Sequence, residues 1–299
     1  MVRSNTALVF PAFITSYTHK EVEVLEQNHV DLRQYIDRAS DILDFKLPVF
    51  NYQSRFYQRD ELGSQLIAYI FSCAFYDLCL QQKIKPDYIA GYSMGIYASL
   101  YASKSIEFEE GITIINRAYQ LVRTLTGDKK YGMGAVVGLT YPDIHGQIAD
   151  NKLDVEIINR NNERSMVVSG GKSDIQYLLD IAQQEGAFSV SELTVDTPYH
   201  SKYLRKLKDE FSHFVNEFAF RDAAVPVIST YDQREVIKSR DIQKEVVYNL
   251  TEKINWYKTM QYLLKKNVRV FYECGAGKDL TKIARFIQGD YKIIPVTKF

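Results

Sequence analysis

The stretch KPDYIAGYSMGIYASLYA, residues 85–102 of this 299-residue chain, indicates its fold class. Residues 88–90 form a short apolar strand, and a helical pattern resumes at Met94. Between them, residues 91–95 follow the pattern G-x-S-x-G, with Ser93 at its centre. A serine at such a turn is held outward, and flanking glycines let the backbone turn without a Cβ clash. The stretch therefore predicts an α/β fold with Ser93 as a candidate nucleophile.

The elements around this stretch predict a larger α/β domain interrupted by a smaller module. A buried strand at residues 7–10 and helices at 65–80 and 109–124 surround the serine motif. A polar run at 126–130 is typical of a linker, and the β-α-β-β-α-β order that follows is typical of a ferredoxin-like module. From His200 we predict a helix to about Phe218 and then a return to α/β. The predicted domains are residues 1–126 with 200–299, and residues 127–199.

Composition excludes several classes of protein. Lys plus Arg and Asp plus Glu are both 37, so the formal net charge is zero. The overall charge therefore gives no sign of binding to nucleic acid or to an anionic membrane, although it leaves a local basic patch open. The three cysteines show no metal-binding spacing and favour a reducing compartment. The apolar run at residues 7–10 is too short for a signal peptide or a membrane span. We expect a soluble, cytoplasmic protein with no metal site.

A serine nucleophile needs a base, and the chain offers five histidines. His200 differs from the other four because it follows Thr197-Pro198-Tyr199, where a predicted strand ends and a helix begins. Loops at the ends of such elements are common positions for catalytic side chains. His213 lies among phenylalanines in a predicted helix, and the remaining three lie in charged or polar sequence. His200 is therefore the candidate base.

Further motifs follow the serine motif along the chain: residues 133–139 (MGAVVGL), 159–161 (NRN), 197–201 (TPYHS), Trp256 and 272–278 (YECGAGK). With GYSMG, this set resembles the malonyl-CoA:acyl carrier protein transacylase family, including the free-standing acyltransferases of polyketide assembly lines. The resemblance spans nearly the whole chain. It implies an α/β-hydrolase-like core with an inserted ferredoxin-like subdomain, in agreement with the element order.

The resemblance also implies roles for individual residues. Ser93 would accept the acyl group, and His200 would act as general base and acid. Asn249 would orient the histidine through an amide or a main-chain carbonyl. An acid near His200, Asp196, is the alternative third member. The backbone amides of Met94 and Phe13 would form the oxyanion hole.

The acyl pocket is the second implied site. Arg117 would hold the free carboxylate of a malonyl group, and the two isoleucines before it suggest that it points inward. An internal salt bridge or a surface position is the alternative for this arginine. Gln65 would line the pocket, and Tyr199 would add a bulky wall.

The implied reaction moves malonyl from coenzyme A to the phosphopantetheine thiol of an acyl carrier protein. Coenzyme A is then a substrate, and no cofactor is implied. Carrier proteins are acidic, so a basic face is expected near the cleft; its candidates are Lys202, Arg205, Lys206 and Lys208, although a solvated helix face explains them equally well.

Two features of the sequence keep other functions open. Phe13 stands where the family has a glutamine, and Tyr92 replaces the usual histidine of the serine motif. One alternative is an editing hydrolase that strips acyl groups from carrier proteins with the same Ser-His pair, against which Arg117 argues. Another is an inactive relative that only binds carrier protein. A patatin-like hydrolase also uses G-x-S-x-G, but it needs an Asp-Gly pair, which this chain lacks.

Overall fold

Two β-sheets and the helices packed on them form the protein, whose computed structural model describes residues 4–12, 17–53, 56–127 and 131–299. The strands are β1 (Asn5–Phe10), β2 (Tyr88–Gly91), β3 (Tyr131–Val137), β4 (Val155–Asn162), β5 (Ser165–Gly171), β6 (Ser189–Glu192), β7 (Val227–Ile228), β8 (Glu235–Val236), β9 (Val268–Glu273) and β10 (Lys292–Pro295). The α-helices are α1 (His19–Gln27), α2 (Leu32–Ile42), α3 (Phe56–Arg59), α4 (Glu61–Gln81), α5 (Gly95–Ala102), α6 (Phe108–Thr126), α7 (Tyr141–Asp150), α8 (Lys172–Gln184), α9 (Lys208–Val215), α10 (Ser239–Thr251), α11 (Trp256–Lys265) and α12 (Asp279–Ala284).

The larger sheet has six strands in the order β10-β9-β1-β2-β7-β8. Its pairs are parallel except for β7 and β8, which are antiparallel. Phe10 and Gly91 are register partners at the carboxyl ends of β1 and β2. Ligand sites in open parallel sheets lie beyond the carboxyl ends of the strands. This edge is therefore where the loop after β2 places the serine motif.

The smaller sheet has four antiparallel strands in the order β4-β5-β3-β6. Its elements run β3-α7-β4-β5-α8-β6 along the chain, as the sequence predicts, and occupy residues 131–192. An apolar cluster that includes Val136, Val168 and Leu178 joins α8 to the sheet. This cluster is separate from the core of the larger sheet.

Contacts between β4 and the chain before α11 connect the two sheets. The backbone amide of Ile254 donates to the carbonyl of Ile158 at 2.9 Å, and Asn159 forms an isolated parallel bridge with Ile254. The backbone amide of Trp256 donates to the side chain of Asn159 at 3.1 Å. The small sheet therefore lies against the edge that carries Ser93.

Helix α4 is the central helix of the larger unit. It begins at Asp60, whose side chain accepts a hydrogen bond from the amide of Gly63 at 2.6 Å. Its length and apolar composition would suffice to cross a membrane, yet 94% of its most apolar 18-residue window is buried inside the protein. The apolar surface of α4 is therefore part of the core, as expected for a helix that is hydrophobic on all sides.

Among the helices that differ from the sequence prediction, two lie close to His200 along the chain or in space. The helix expected from His200 to Phe218 is wrong in extent: the chain forms a 3₁₀ turn at Leu204–Leu207, and α9 begins only at Lys208. His200 has a φ of 59°, and a backbone in the left-handed region cannot begin an α-helix. Helix α10 was not predicted, because its charged residues obscure a buried stripe at Ile242, Val246 and Asn249.

Candidate active site

Close backbone packing builds the turn that carries Ser93. Ser93 has a φ of 52°, in the left-handed region. A Cβ at Gly91 would lie 2.3 Å from the carbonyl carbon of Gly95, and a Cβ at Gly95 would lie 2.3 Å from the carbonyl oxygen of Phe10. Glycine is therefore required at both positions, and the turn holds Ser93 in a strained conformation.

Ser93 and His200 are in direct contact. The Oγ of Ser93 lies 2.7 Å from Nε2 of His200. His200, like Ser93, has a positive φ, and it is only 3% exposed. Burial lowers the pKa of His200 to about 4, although nearby main-chain carbonyls partly offset this effect. The ring is therefore neutral near pH 7, the state in which Nε2 can accept a proton from the serine.

The end of helix α10 lies beside the other ring nitrogen of His200. The carbonyls of Asn249 and Glu252 approach the ring and raise its pKa, but neither makes a well-aligned hydrogen bond to Nδ1 within the described chain. The last carbonyls of a helix lack intrahelical partners and carry partial negative charge. The side chain of Asn249 points elsewhere, because its Nδ2 donates to Thr230 Oγ1 at 3.3 Å. Asn249 thus meets the histidine through its main chain.

Asp196, the alternative third member of the site, lies away from His200. Its side chain is 77% exposed, and its carboxylate is 3.7 Å from the ammonium of Lys172. A carboxylate in this position cannot orient a ring that is 3% exposed. The main-chain carbonyls at the end of α10 therefore replace an acid beside His200.

Of the two predicted oxyanion donors, the structure describes Met94 but not Phe13. Met94 follows Ser93 directly and is the N-cap residue of α5. The first amides of a helix lack intrahelical acceptors, so the Met94 N–H lies at a position suited to a developing negative charge. Phe13, the other predicted donor, lies outside the described residues.

Two cavities meet at the Ser93–His200 pair. The cleft, of about 280 Å³, runs toward the small sheet and has mainly apolar walls that include Met133, Val167 and Leu193. The recess, of about 30 Å³, runs toward α4 and α6. The residues that line the recess are Gln65, Ser93, Met94, Tyr97, Ala118, Tyr119, Tyr199, His200, Asn249 and Leu250. An acyl group on Ser93 would have access to both cavities.

Two residues that line the recess, Gln65 and Tyr199, belong to a hydrogen-bonded group of side chains. Gln65 Nε2 donates to the hydroxyl of Tyr199 at 2.7 Å, and that hydroxyl donates to Oε1 of Glu61 at 2.7 Å. Thr197 Oγ1 donates to the other carboxylate oxygen at 3.1 Å. Burial raises the pKa of Glu61, and the hydrogen bonds from Tyr199 and Thr197 partly offset the rise. The expected pocket positions of Gln65 and Tyr199 agree with the structure, whereas Glu61 was not anticipated.

Arg117 does not point into either cavity, so the expectation of an inward guanidinium is wrong. Its side chain is exposed, and the guanidinium carbon lies 5.9 Å from the ring centre of Phe214. Ala118, the next residue, lines the recess. Residues three and four apart share a helix face, so Ala118 follows both buried isoleucines, Ile114 and Ile115. Arg117 is three residues after Ile114 but four after the half-buried Thr113, which places it at the edge of that face.

A second group of polar side chains connects the serine motif to the small sheet. The hydroxyl of Tyr92 donates to Oδ1 of Asn161 at 2.9 Å, and Nδ2 of Asn159 donates to the same oxygen at 2.9 Å. Both asparagines line the cleft. The NRN motif signalled them in the sequence, but their contact with Tyr92 required the fold.

Comparisons with known proteins identify the family of the chain. Residues 65–276 match the family described as the acyl transferase domain, and the chain belongs to that family. The polyketide biosynthesis malonyl CoA-acyl carrier protein transacylase PksC of Bacillus subtilis is 25% identical over 270 residues, which cover 89% of this chain and 92% of the relative. A malonyl CoA-acyl carrier protein transacylase of Staphylococcus aureus is 28% identical over 223 residues, covering 73% and 72% of the two chains.

Solved structures show the same fold. A malonyl-transacylase in complex with a type II polyketide synthase acyl carrier protein superposes with a TM-score of 0.89 at 21% identity, covering 98% of this chain and 96% of its own. An acyl carrier protein S-malonyltransferase from Vibrio cholerae has a TM-score of 0.87 at 23% identity, with the same coverage. The α/β architecture is therefore that of these transacylases.

Proposed function

We propose that this protein is an acyltransferase that moves an acyl group from coenzyme A to the phosphopantetheine thiol of an acyl carrier protein. The observation that carries the proposal is the 2.7 Å contact between Ser93 Oγ and His200 Nε2 where the two cavities meet. The names of the relatives support malonyl-CoA as a donor and a carrier protein as the acceptor. A cytoplasmic location fits a reaction between these soluble partners.

The proposed acylation is a proton-coupled exchange. Ser93 Oγ attacks the thioester carbonyl while its proton passes to His200 Nε2, and the Met94 amide stabilises the oxyanion. The carbon–sulfur bond then breaks, and His200 returns the proton to the departing thiolate. The thiol of the carrier protein then attacks the ester on Ser93 while its proton passes to His200. The bond between the acyl carbon and Ser93 Oγ breaks, and His200 returns the proton to Ser93. Serine supplies the nucleophile and histidine moves the proton, so the reaction needs no metal or redox cofactor.

The architecture supports a finer division of the fold. We infer an α/β-hydrolase-like core from residues 1–126 and 200–299 and an inserted ferredoxin-like subdomain from residues 127–199. The strand order β4-β5-β3-β6 and the β-α-β-β-α-β succession support the second assignment. In this division the subdomain supplies one wall of the cleft.

The expected basic face is largely neutralised by acidic neighbours. Arg205 lies 3.5 Å from Glu156 and 3.6 Å from Glu252, and Lys208 lies 3.3 Å from Glu252. Lys202 pairs with Asp154. Exposed pairs of this kind contribute little to stability, and a partner carboxylate must compete with an existing one. Lys206, which is also exposed, remains the simplest contact for an acidic carrier protein.

Intact-mass measurement tests the proposal. Incubation with malonyl-CoA or acetyl-CoA should add one acyl mass to the protein, and Ser93→Ala should abolish the addition. Ser173→Ala, a change of an exposed serine on α8, is the matched control and should keep it. Acyl mass on the Ser93→Ala protein would refute the assignment of Ser93.

Hydrolysis by the same pair is the second candidate. It gains support from the exposed Arg117, because the expected carboxylate clamp was the argument against it. The apolar walls of the cleft favour transfer, since they limit water near the ester. The acylated protein should therefore persist in buffer and lose its acyl group when carrier-protein thiol is added. Rapid loss in buffer alone, unchanged by carrier protein, would establish hydrolysis.

A further inference from the structure

We propose that the pocket beside Ser93 selects small, uncharged acyl groups, so that acetyl loads Ser93 at least as fast as malonyl. The inference deepens the proposed function and rests on it. Its starting point is the chemistry of the two cavities that open from Ser93. None of the described residues that line the cleft or the recess is lysine or arginine.

Helix α6 presents an apolar residue to the recess where a cation would be needed. Ala118, which is 5% exposed, and its neighbour Tyr119 are the two residues of α6 that line the recess. The nearest arginine in the sequence, Arg117, is exposed and lies over Phe214. A carboxylate in the recess would lose its hydration without gaining a charged partner, which strongly disfavours its ionised form.

The polar wall of the recess is already committed to another carboxylate. Glu61 accepts hydrogen bonds from Tyr199, from Thr197 and, at 3.4 Å, from Gln65. The amide of Gln65 also donates to Tyr199. A malonyl carboxylate would compete with Glu61 for these donors and would lie close to its negative charge. The exposed Arg123, which attracts Glu61, lines neither cavity.

The size and polarity of the cavities complete the argument. The recess, at about 30 Å³, is much smaller than the cleft of about 280 Å³ and suits the methyl end of an acetyl group. The cleft is larger, but its charged lining residue is Asp279, a second carboxylate. Whichever cavity receives the acyl group, its lining favours an uncharged chain.

Competition between two donors tests the inference. Wild-type protein is mixed with equal concentrations of acetyl-CoA and malonyl-CoA, and the two acyl masses on Ser93 are compared at early times. The rate of free coenzyme A release is measured for each donor alone, so that turnover by hydrolysis is also counted. We expect an acetyl-to-malonyl ratio of one or more.

Variants of neighbouring residues sharpen the test. Ala118→Arg places a guanidinium in the recess and should shift the ratio toward malonyl by about tenfold or more. Arg117→Ala, one residue away on the exposed face, is the matched control and should leave the ratio within about twofold. Ala118→Arg overfills a small recess, so Glu61→Gln provides a second variant, which should raise malonyl loading several-fold relative to acetyl by removing a negative charge.

The possible results distinguish a failure of the inference from a failure of the proposed function. A wild-type preference for malonyl, or a fall in that preference in Arg117→Ala, would overturn the inference and leave the acyltransferase function intact. Absence of any Ser93 ester and of coenzyme A release with acetyl-, butyryl- and malonyl-CoA would overturn the proposed function itself.

Discussion

Ser93 and His200 meet at 2.7 Å, yet different kinds of structure hold them. Ser93 sits on a turn in which two glycines pack directly against backbone atoms. His200 sits on a loop after the small sheet, buried but without a well-aligned partner at Nδ1 within the described chain. Both have a positive φ, so both positions carry backbone strain. Close packing therefore fixes the nucleophile, whereas burial and surrounding carbonyls fix the base.

A substitution at Gly95 should disrupt the packing that holds Ser93. Gly95→Ala places a Cβ 2.3 Å from the carbonyl oxygen of Phe10, which must move. We expect the free energy of unfolding to fall by about 3 kcal/mol or more, measured by urea denaturation. Gly146→Ala in α7, where a Cβ meets nothing within 4 Å, is the control and should stabilise by about 0.5–1 kcal/mol. Equal stabilities of the two variants would contradict the role of packing at the turn that carries Ser93.

On the histidine side, the largest effect is on rate rather than stability. His200→Ala removes the group that accepts the Ser93 proton and should slow acylation by about a hundredfold or more. The measurement is the initial rate of ester formation by intact mass. His213→Ala, an exposed histidine on α9, should leave the rate unchanged. A wild-type rate in His200→Ala would mean that another group is the base.

The pH dependence of acylation tests how burial acts on His200. Protonated histidine cannot accept the serine proton, so the rate falls as pH drops through the pKa of the folded protein. With this pKa at about 4, acylation should stay nearly constant from pH 8 to pH 5.5. A histidine of ordinary pKa, near 6.5, would be mostly protonated at pH 5.5, giving a rate about tenfold lower. A midpoint near 6.5 in the rate profile would show that burial does not govern the base.

The smallest effect concerns the residue beside the base. Asn249→Ala keeps the main-chain carbonyl near His200 and removes only the side-chain hydrogen bond to Thr230. We expect acylation to slow by less than about tenfold, with the midpoint of the pH profile unchanged. Thr230→Val, which removes the same hydrogen bond from the other side, should match it. A loss as large as that of His200→Ala would show that the Asn249 side chain itself orients the ring.

The contrast between the two sides also explains what the sequence could predict. The turn that carries Ser93 was predictable because a five-residue motif encodes its packing. The role of His200 was predictable because this residue follows the end of a predicted strand. The resemblance indicated Asn249, through an amide or a main-chain carbonyl, but the choice of the carbonyl depends on where the unpredicted helix α10 ends. Arg117 was misplaced because two preceding isoleucines indicate a buried face but do not show which residue of the next turn continues it. Glu61 required the fold, because Tyr199 and Thr197 reach it from 138 and 136 residues away.

The strand order of the larger sheet has a consequence for how the chain is made. Strand β1 lies between β2 and β9, and residues 5–9 pair with residues 268–273. During synthesis, this edge of β1 stays open until nearly the whole chain has emerged, whereas residues 131–192 contain every strand of the small sheet. Unpaired strand edges promote aggregation, and pairing between distant residues is slow. We therefore expect the small sheet to complete its pairing before the larger sheet during synthesis, and the larger sheet to keep an open strand edge for longer.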